Sequence, residues 1–100
     1  MGKMLVFTNA VDGRDDEFNR WYDEVHLPEV LALDAFTGAT RHRVTDAQIY
    51  PDQSHRYLAI YEFDGDPQDA IDQMIKAAGD MDMSDTMVDP HLVIVDDIGA

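Results

Sequence analysis

Cysteine is absent from the 100 residues. That excludes a disulfide framework and thiolate chemistry, and it fits a reducing, cytoplasmic setting. Positive charge is scarce: 7 Lys and Arg stand against 21 Asp and Glu, for a formal net charge of -14. Nucleic acid is therefore a poor partner, because its binding rests on phosphate neutralisation by clustered cations. Anionic membranes are disfavoured on the same ground. Long apolar runs are lacking as well. No stretch approaches the about 18 residues that a membrane span needs, and the apolar run in MGKMLVFTNA is too short for a signal peptide. No glycine-rich loop cradles a phosphate, and no Ser–His–Asp set is supported by spacing. His26, His42, His55 and His91 lack close ligand spacing, so no metal is expected. Asp80 to His91 (DMDMSDTMVDPH) alternates acids as a calcium loop does. It lacks the glycine at the sixth place and ends in His, so that reading is rejected.

What is present reads as one domain over residues 1–100, long enough to bury roughly two-thirds of its unfolded surface. The many acids form a solvated, self-repelling surface. Attraction of cationic ligands and adaptation to a salty cytosol are the alternatives. Lys3 to Asn9 (KMLVFTN) is a strand, and Asp12-Gly13 a turn. From Asp15 to Val25, Phe18, Trp21, Tyr22 and Val25 form the apolar stripe of a helix, with three acids in its first turn. Pro28 disfavours helical geometry at Leu27, so the helix is expected to end or kink there, with one further turn open to Glu29–Leu33. Phe36 to Thr45 gives a second strand, with Arg41 and Arg43 on one face. His55 to Phe63 gives the clearest strand of all. Asp66 caps a second helix with Pro67 at its first position. Its expected buried stripe is Ala70, Ile71, Met74, Ile75 and Ala78, and Gly79 closes it. His91 to Val95 is the last strand.

The order strand, helix, strand, strand, helix, strand predicts an α+β, ferredoxin-like βαββαβ split. Both helices then lie on one face of a four-stranded antiparallel sheet. Leu58 and Ile60 alternate with Tyr57, Ala59, Tyr61 and Phe63, and Leu5 and Phe7 with Met4 and Val6. Both sheet faces are thus apolar, and two helices cover only one. The expected partner for the other is a second copy, giving a homodimer by sheet-to-sheet packing.

The segments FTN (Phe7–Asn9), GRDDEFNRWYDEVHLPEVLALDAF (Gly13–Phe36) and RYLAIYEFDGDP (Arg56–Pro67) together resemble the dimeric α+β barrel superfamily. Within it the chain is most similar to EthD-type and REDY-like (HapK-like) small proteins, and the likeness extends over nearly the whole chain. Its most specific part is WY-x3-H-x-P. The resemblance implies a homodimer with a ligand cavity between the sheet and the first helix of each subunit, and no metal or organic cofactor. Leu33-Asp34-Ala35-Phe36 stands where a Pro-Gly-Phe turn is more typical, and a Met- and Asp-rich stretch follows the second helix. Both would reshape the cavity mouth.

His26 follows Tyr22 by one helical turn, at the inward edge of the stripe. Near a helix C-terminus the dipole stabilises an imidazolium, whereas burial opposes it, and a balance near neutrality suits a general acid/base. The alternative is a C-capping histidine that donates to a backbone carbonyl. Trp21 and Tyr22 are either core or binding residues, and Tyr22 and Tyr61 carry hydroxyls that need partners if buried. Asn9 either contacts a ligand or holds the turn after the first strand. Arg41 and Arg43 bridge to acids across a dimer or orient an anionic or carbonyl-bearing ligand. The resulting expectation is a small cofactor-independent enzyme of secondary or aromatic-compound metabolism. It would act on a hydrophobic ring or carbonyl substrate by isomerase, cyclase, lyase or oxygenase chemistry, with His26 as proton shuttle. The alternatives are a small-molecule carrier without turnover and a structural dimer without a pocket.

Overall fold

The computed structural model describes residues 1–99. The chain runs β1 (Gly2–Ala10), α1 (Asp15–Trp21), a π-helical turn (Tyr22–His26), α2 (Leu27–Leu31), β2 (Phe36–Arg43), β3 (Tyr57–Phe63), α3 (Pro67–Ala78) and β4 (Met87–Asp96). The four strands form one sheet in the order β2-β3-β1-β4, with every neighbouring pair antiparallel. This is the expected ferredoxin-like arrangement, with helices on one face.

Alternation of side chains along each strand decides which residues meet the helices. Met4, Val6 and Thr8 on β1 and Tyr57, Ala59, Tyr61 and Phe63 on β3 are buried beneath them. Phe18 of α1 seals this layer, 5.1 Å from the Tyr57 ring and 5.5 Å from that of Tyr22. Each large ring removed from water stabilises the fold by roughly 1.5–3 kcal/mol, so these aromatics dominate the core. The opposite face carries Leu5, Phe7, Leu58 and Ile60, half-buried by their neighbours alone. Val93 and Val95, paired with Leu5 and Lys3, are 36% and 37% exposed on it. The result is a slab, 37 × 34 × 17 Å, with one broad side uncovered.

The helix does not stop at Pro28. Helical backbone continues unbroken to Leu31, because the turn over Tyr22–His26 widens by one residue. The Leu27 amide donates to the Tyr22 carbonyl, five residues back instead of four. The looser turn accommodates a proline that has no N–H to offer and whose ring would crowd a regular α-turn. Widening also keeps Phe18, Tyr22, His26 and Val30 all buried, four residues apart. In an uninterrupted α-helix each four-residue step overshoots a full turn by about 40°, and the set would drift off the core.

The later elements differ from expectation in detail. β2 ends at Arg43, β3 begins at Tyr57, and β4 begins at Met87. Asp66 caps α3 by accepting from the Gln68 amide at 3.2 Å, as expected. Of the expected stripe, Ala70 is buried and Ile71 and Met74 are half-buried, but Ile75 is 69% exposed and Ala78 also faces solvent. Gln73 takes an inward place instead, its Oε1 accepting from the Ala35 amide at 2.9 Å. Gly79 remains right-handed (φ -67), so no left-handed cap ends the helix.

Candidate functional site

The π-turn aims its first and last residues, Tyr22 and His26, at the sheet. The His26 ring stacks on Trp21 (centroids 4.8 Å, 23° between planes) and meets the edge of Tyr22 at 5.0 Å. His26 is 9% exposed, and its Nδ1 is buried without a hydrogen-bond partner. One turn further on, Oε1 of Glu29 is buried and unpartnered as well. Burial lowers the His26 pKa below the ordinary histidine value, and the Glu29 charge opposes that only in part. The imidazole is accordingly neutral at pH 7, a proton acceptor held dry. The C-cap alternative does not hold. No helix ends at His26, whose backbone is helical (φ -70, ψ -48), and the dipole argument for a raised pKa lapses with it.

Tyr22 and Tyr61 are each 1% exposed, and the Tyr61 hydroxyl donates to that of Tyr22 at 3.1 Å. Burial pushes both phenol pKa values up. Both remain protonated hydrogen-bonding groups at neutral pH, and Tyr22 keeps a proton to donate. The Arg41 guanidinium lies 4.4 Å over the Tyr22 ring and donates to Asp23 Oδ1 (2.9 Å) and Asn19 Oδ1 (2.7 Å). Its acid, Asp23, stands in its own subunit. β2 puts Arg41 opposite Ala59 and Arg43 opposite Tyr57, both toward the helix side of the sheet.

Five of the nominated residues, Trp21, Tyr22, His26, Arg41 and Tyr61, thus form one continuous cluster. Asn9 and Arg43 stand apart from it. Asn9 Nδ2 donates to the Ser54 carbonyl (2.9 Å) and its Oδ1 accepts from the Arg56 amide (2.9 Å), so it fastens the chain leading into β3. Arg43 faces an open cleft of about 540 Å³, lined with Asp15, Asn19, His55, Arg56 and Tyr57. A second cleft of about 480 Å³ shares Asn19, Arg43 and Tyr57 and reaches Arg41, Asp23 and His42. Midway along the first helix the space against the sheet is filled by Phe18, Tyr22 and Tyr61, and the two clefts open beside it, between Asp15 and Asn19 of α1 and Arg43 and Tyr57 of the sheet. Among the described residues no group of three or more His, Cys, Asp or Glu is placed to hold a metal ion.

Two participants escaped the sequence reading. Glu29 enters the sequence analysis only as the start of the turn Glu29–Leu33, although its place three residues after His26 puts it on the same helical face. Asp82 was hidden in the Met- and Asp-rich stretch, where nothing in the sequence marks it. Its carbonyl accepts from Trp21 Nε1 at 2.7 Å, and its amide donates to Glu29 Oε2 at 3.0 Å.

No family model and no curated protein matches the chain. Solved structures do match it. HapK from Hahella chejuensis superposes with a TM-score of 0.67 at 14% identity, covering 100% of this chain and 95% of that one. An EthD-like protein from Ralstonia eutropha JMP134 gives 0.67 at 18% identity, with 94% and 88% covered. A mutant of MhuD, crystallised with two manganese protoporphyrin IX molecules per active site, gives 0.66 at 14% identity over the full length of both chains. These likenesses establish architecture, since a fold hosts many chemistries. The chain has the α+β, ferredoxin-like fold of HapK and of the EthD-like protein.

Proposed function

We propose that this protein is a small enzyme that moves a proton on a hydrophobic ring or carbonyl substrate, with His26 as the acceptor and donor and no cofactor required. The observation that carries this reading is the buried, unpartnered Nδ1 of His26. Leaving a buried polar atom unsatisfied costs about 1–3 kcal/mol, a sizeable fraction of what a domain of this length has to spare. Such a cost is commonly retained where the atom works. The aromatic walls of Trp21 and Tyr22 suit a flat apolar substrate. The hydroxyl pair of Tyr22 and Tyr61, buried and backed by Arg41, holds the Tyr22 ring against the edge of His26. The working unit is a cytoplasmic homodimer, joined through the uncovered sheet face.

Exchange of carbon-bound protons into D2O tests the chemistry directly. Aromatic ketones, quinols and lactones are incubated with the protein, and deuterium uptake is followed by NMR. Wild type is expected to accelerate exchange on at least one class, and His26→Gln to lower that rate by about 10²–10⁴-fold. Equal exchange by both proteins removes His26 from the chemistry. A second reading, binding without turnover, is favoured by the two clefts at Arg41 and Arg43, neither of which His26 lines. Saturable ligand binding with no exchange in any class would support it.

A further inference from the structure

The segment that follows α3 is fastened in an unusual way. Asp80 and Met81 donate back to Ala77 and Ala78 as the helix unwinds, and pairing with β1 resumes where the Val11 amide donates to the Thr86 carbonyl at 2.8 Å. Between these points Met81 packs against the core, and the polar anchors to the rest of the protein come from side chains. Trp21 holds the Asp82 carbonyl, Glu29 holds its amide, and Arg14 reaches Asp85 at 3.0 Å. The two groups that grip the Asp82 backbone flank His26 along the helix, one on either side. The unpartnered Nδ1 of His26 and Oε1 of Glu29 belong to the same stretch of helix.

We propose that Asp80–Asp85 is a strap that closes over the His26 site, with Glu29 as both its latch and the second polar group offered to a ligand. In the closed form Asp82 occupies one oxygen of the Glu29 carboxylate and the indole N–H of Trp21. Release frees a carboxylate, an indole donor and an imidazole along one helical face. The matching ligand is a flat apolar molecule with a hydroxyl adjacent to a carbonyl, the hydroxyl donating to Glu29 or His26 and the carbonyl accepting from Trp21. The gating rests on the proposed role of His26 only in naming what is gated, because access to the ring is measured without any substrate. A segment held by few side-chain contacts opens at lower free energy than the sheet, which makes such a gate physically available.

Two substitutions loosen the strap without emptying the site. Trp21→Phe keeps an aromatic face against His26 but removes the donor to Asp82. Glu29→Gln removes the charge that accepts from the Asp82 amide. Diethylpyrocarbonate labelling of His26, mapped by mass spectrometry, reads access, with two unstructured histidine-containing peptides added as references. His26 in wild type is expected to label at least about 10-fold more slowly than these two, and the variants to raise its rate by about 5-fold or more as amide exchange in Asp82–Asp85 accelerates. Far-ultraviolet circular dichroism and unchanged β-sheet exchange exclude general unfolding. Faster strap exchange with unchanged His26 labelling overturns the proposal, as does His26 labelling in wild type at the rate of the references. Failure of the proton-exchange assay leaves these outcomes standing, so the gate and the chemistry are judged separately.

Discussion

At the scale of single residues, the environment of His26 makes a pH-dependent statement about stability. Burial lowers its pKa from the ordinary histidine value of about 6.5, so on acidification the unfolded chain takes up the proton first. The contribution is intact above about pH 6.5 and is lost as pH falls from there through the folded-state value. Urea denaturation of wild type and His26→Gln at pH 7.5 and 5.5 isolates this effect from the many carboxylates, which both proteins share. Wild type is expected to lose more unfolding free energy between the two pH values than the variant. Equal losses would mean that the imidazole titrates normally. The sequence made the position of His26 beside Tyr22 legible, because four-residue spacing on a helix is a local rule. It did not reveal the sign of the pKa shift. That sign follows from burial of the ring, and a long-range fit of the helix against the sheet decides it.

At the scale of elements, strands and helix identities were readable from alternation and capping, whereas the course of the first helix past Pro28 was not. The rule that proline disfavours helix before it holds for regular α-turns, and the widened turn at Tyr22–His26 evades it. A clue was present in Phe18, Tyr22, His26 and Val30, whose strict interval of four exceeds the helical period. The second long helix was read well at its start and less well along its face. Its Asp66 cap supplies a direct check: Asp66→Ala is expected to destabilise the fold by about 1 kcal/mol in urea melts, and no loss would show that the bond to the Gln68 amide is without energetic weight. Ile75 was misplaced because an apolar residue at helical spacing need not face the core when the helix packs through Ala70, Ile71, Gln73, Met74 and Ala77. The strap after α3 was illegible for another reason. Its anchors are backbone groups of Asp82, and backbone groups leave no trace in residue type.

At the scale of the whole molecule, the uncovered sheet face was the most far-reaching expectation drawn from alternation, and Leu5, Phe7, Leu58, Ile60, Val93 and Val95 do form one apolar surface. Contiguous apolar patches of this kind mark association sites. Sedimentation velocity at micromolar concentration is expected to show a homodimer for wild type. Ile60→Asp, which places a charge in the middle of that face and away from His26, is expected to shift the population to monomer, with Kd raised by at least about 100-fold, the equivalent of roughly 3 kcal/mol. A wild-type chain that sediments as a folded monomer would overturn the dimer. The formal charge of -14 adds a salt dependence: two strongly anionic copies repel, so association should tighten as ionic strength rises.

The flat outline of the subunit has its own geometrical meaning. A body 37 × 34 Å across and only 17 Å deep carries far more skin per unit of interior than a sphere of equal mass, a poor ratio for a chain of this length. Laid back to back with their sheets about 10 Å apart, a pair of such tiles stands about 44 Å deep, comparable with the other two dimensions. Pairing would thus give an almost isometric particle whose middle layer is two sheets thick, and the isolated tile is best regarded as half of a solid.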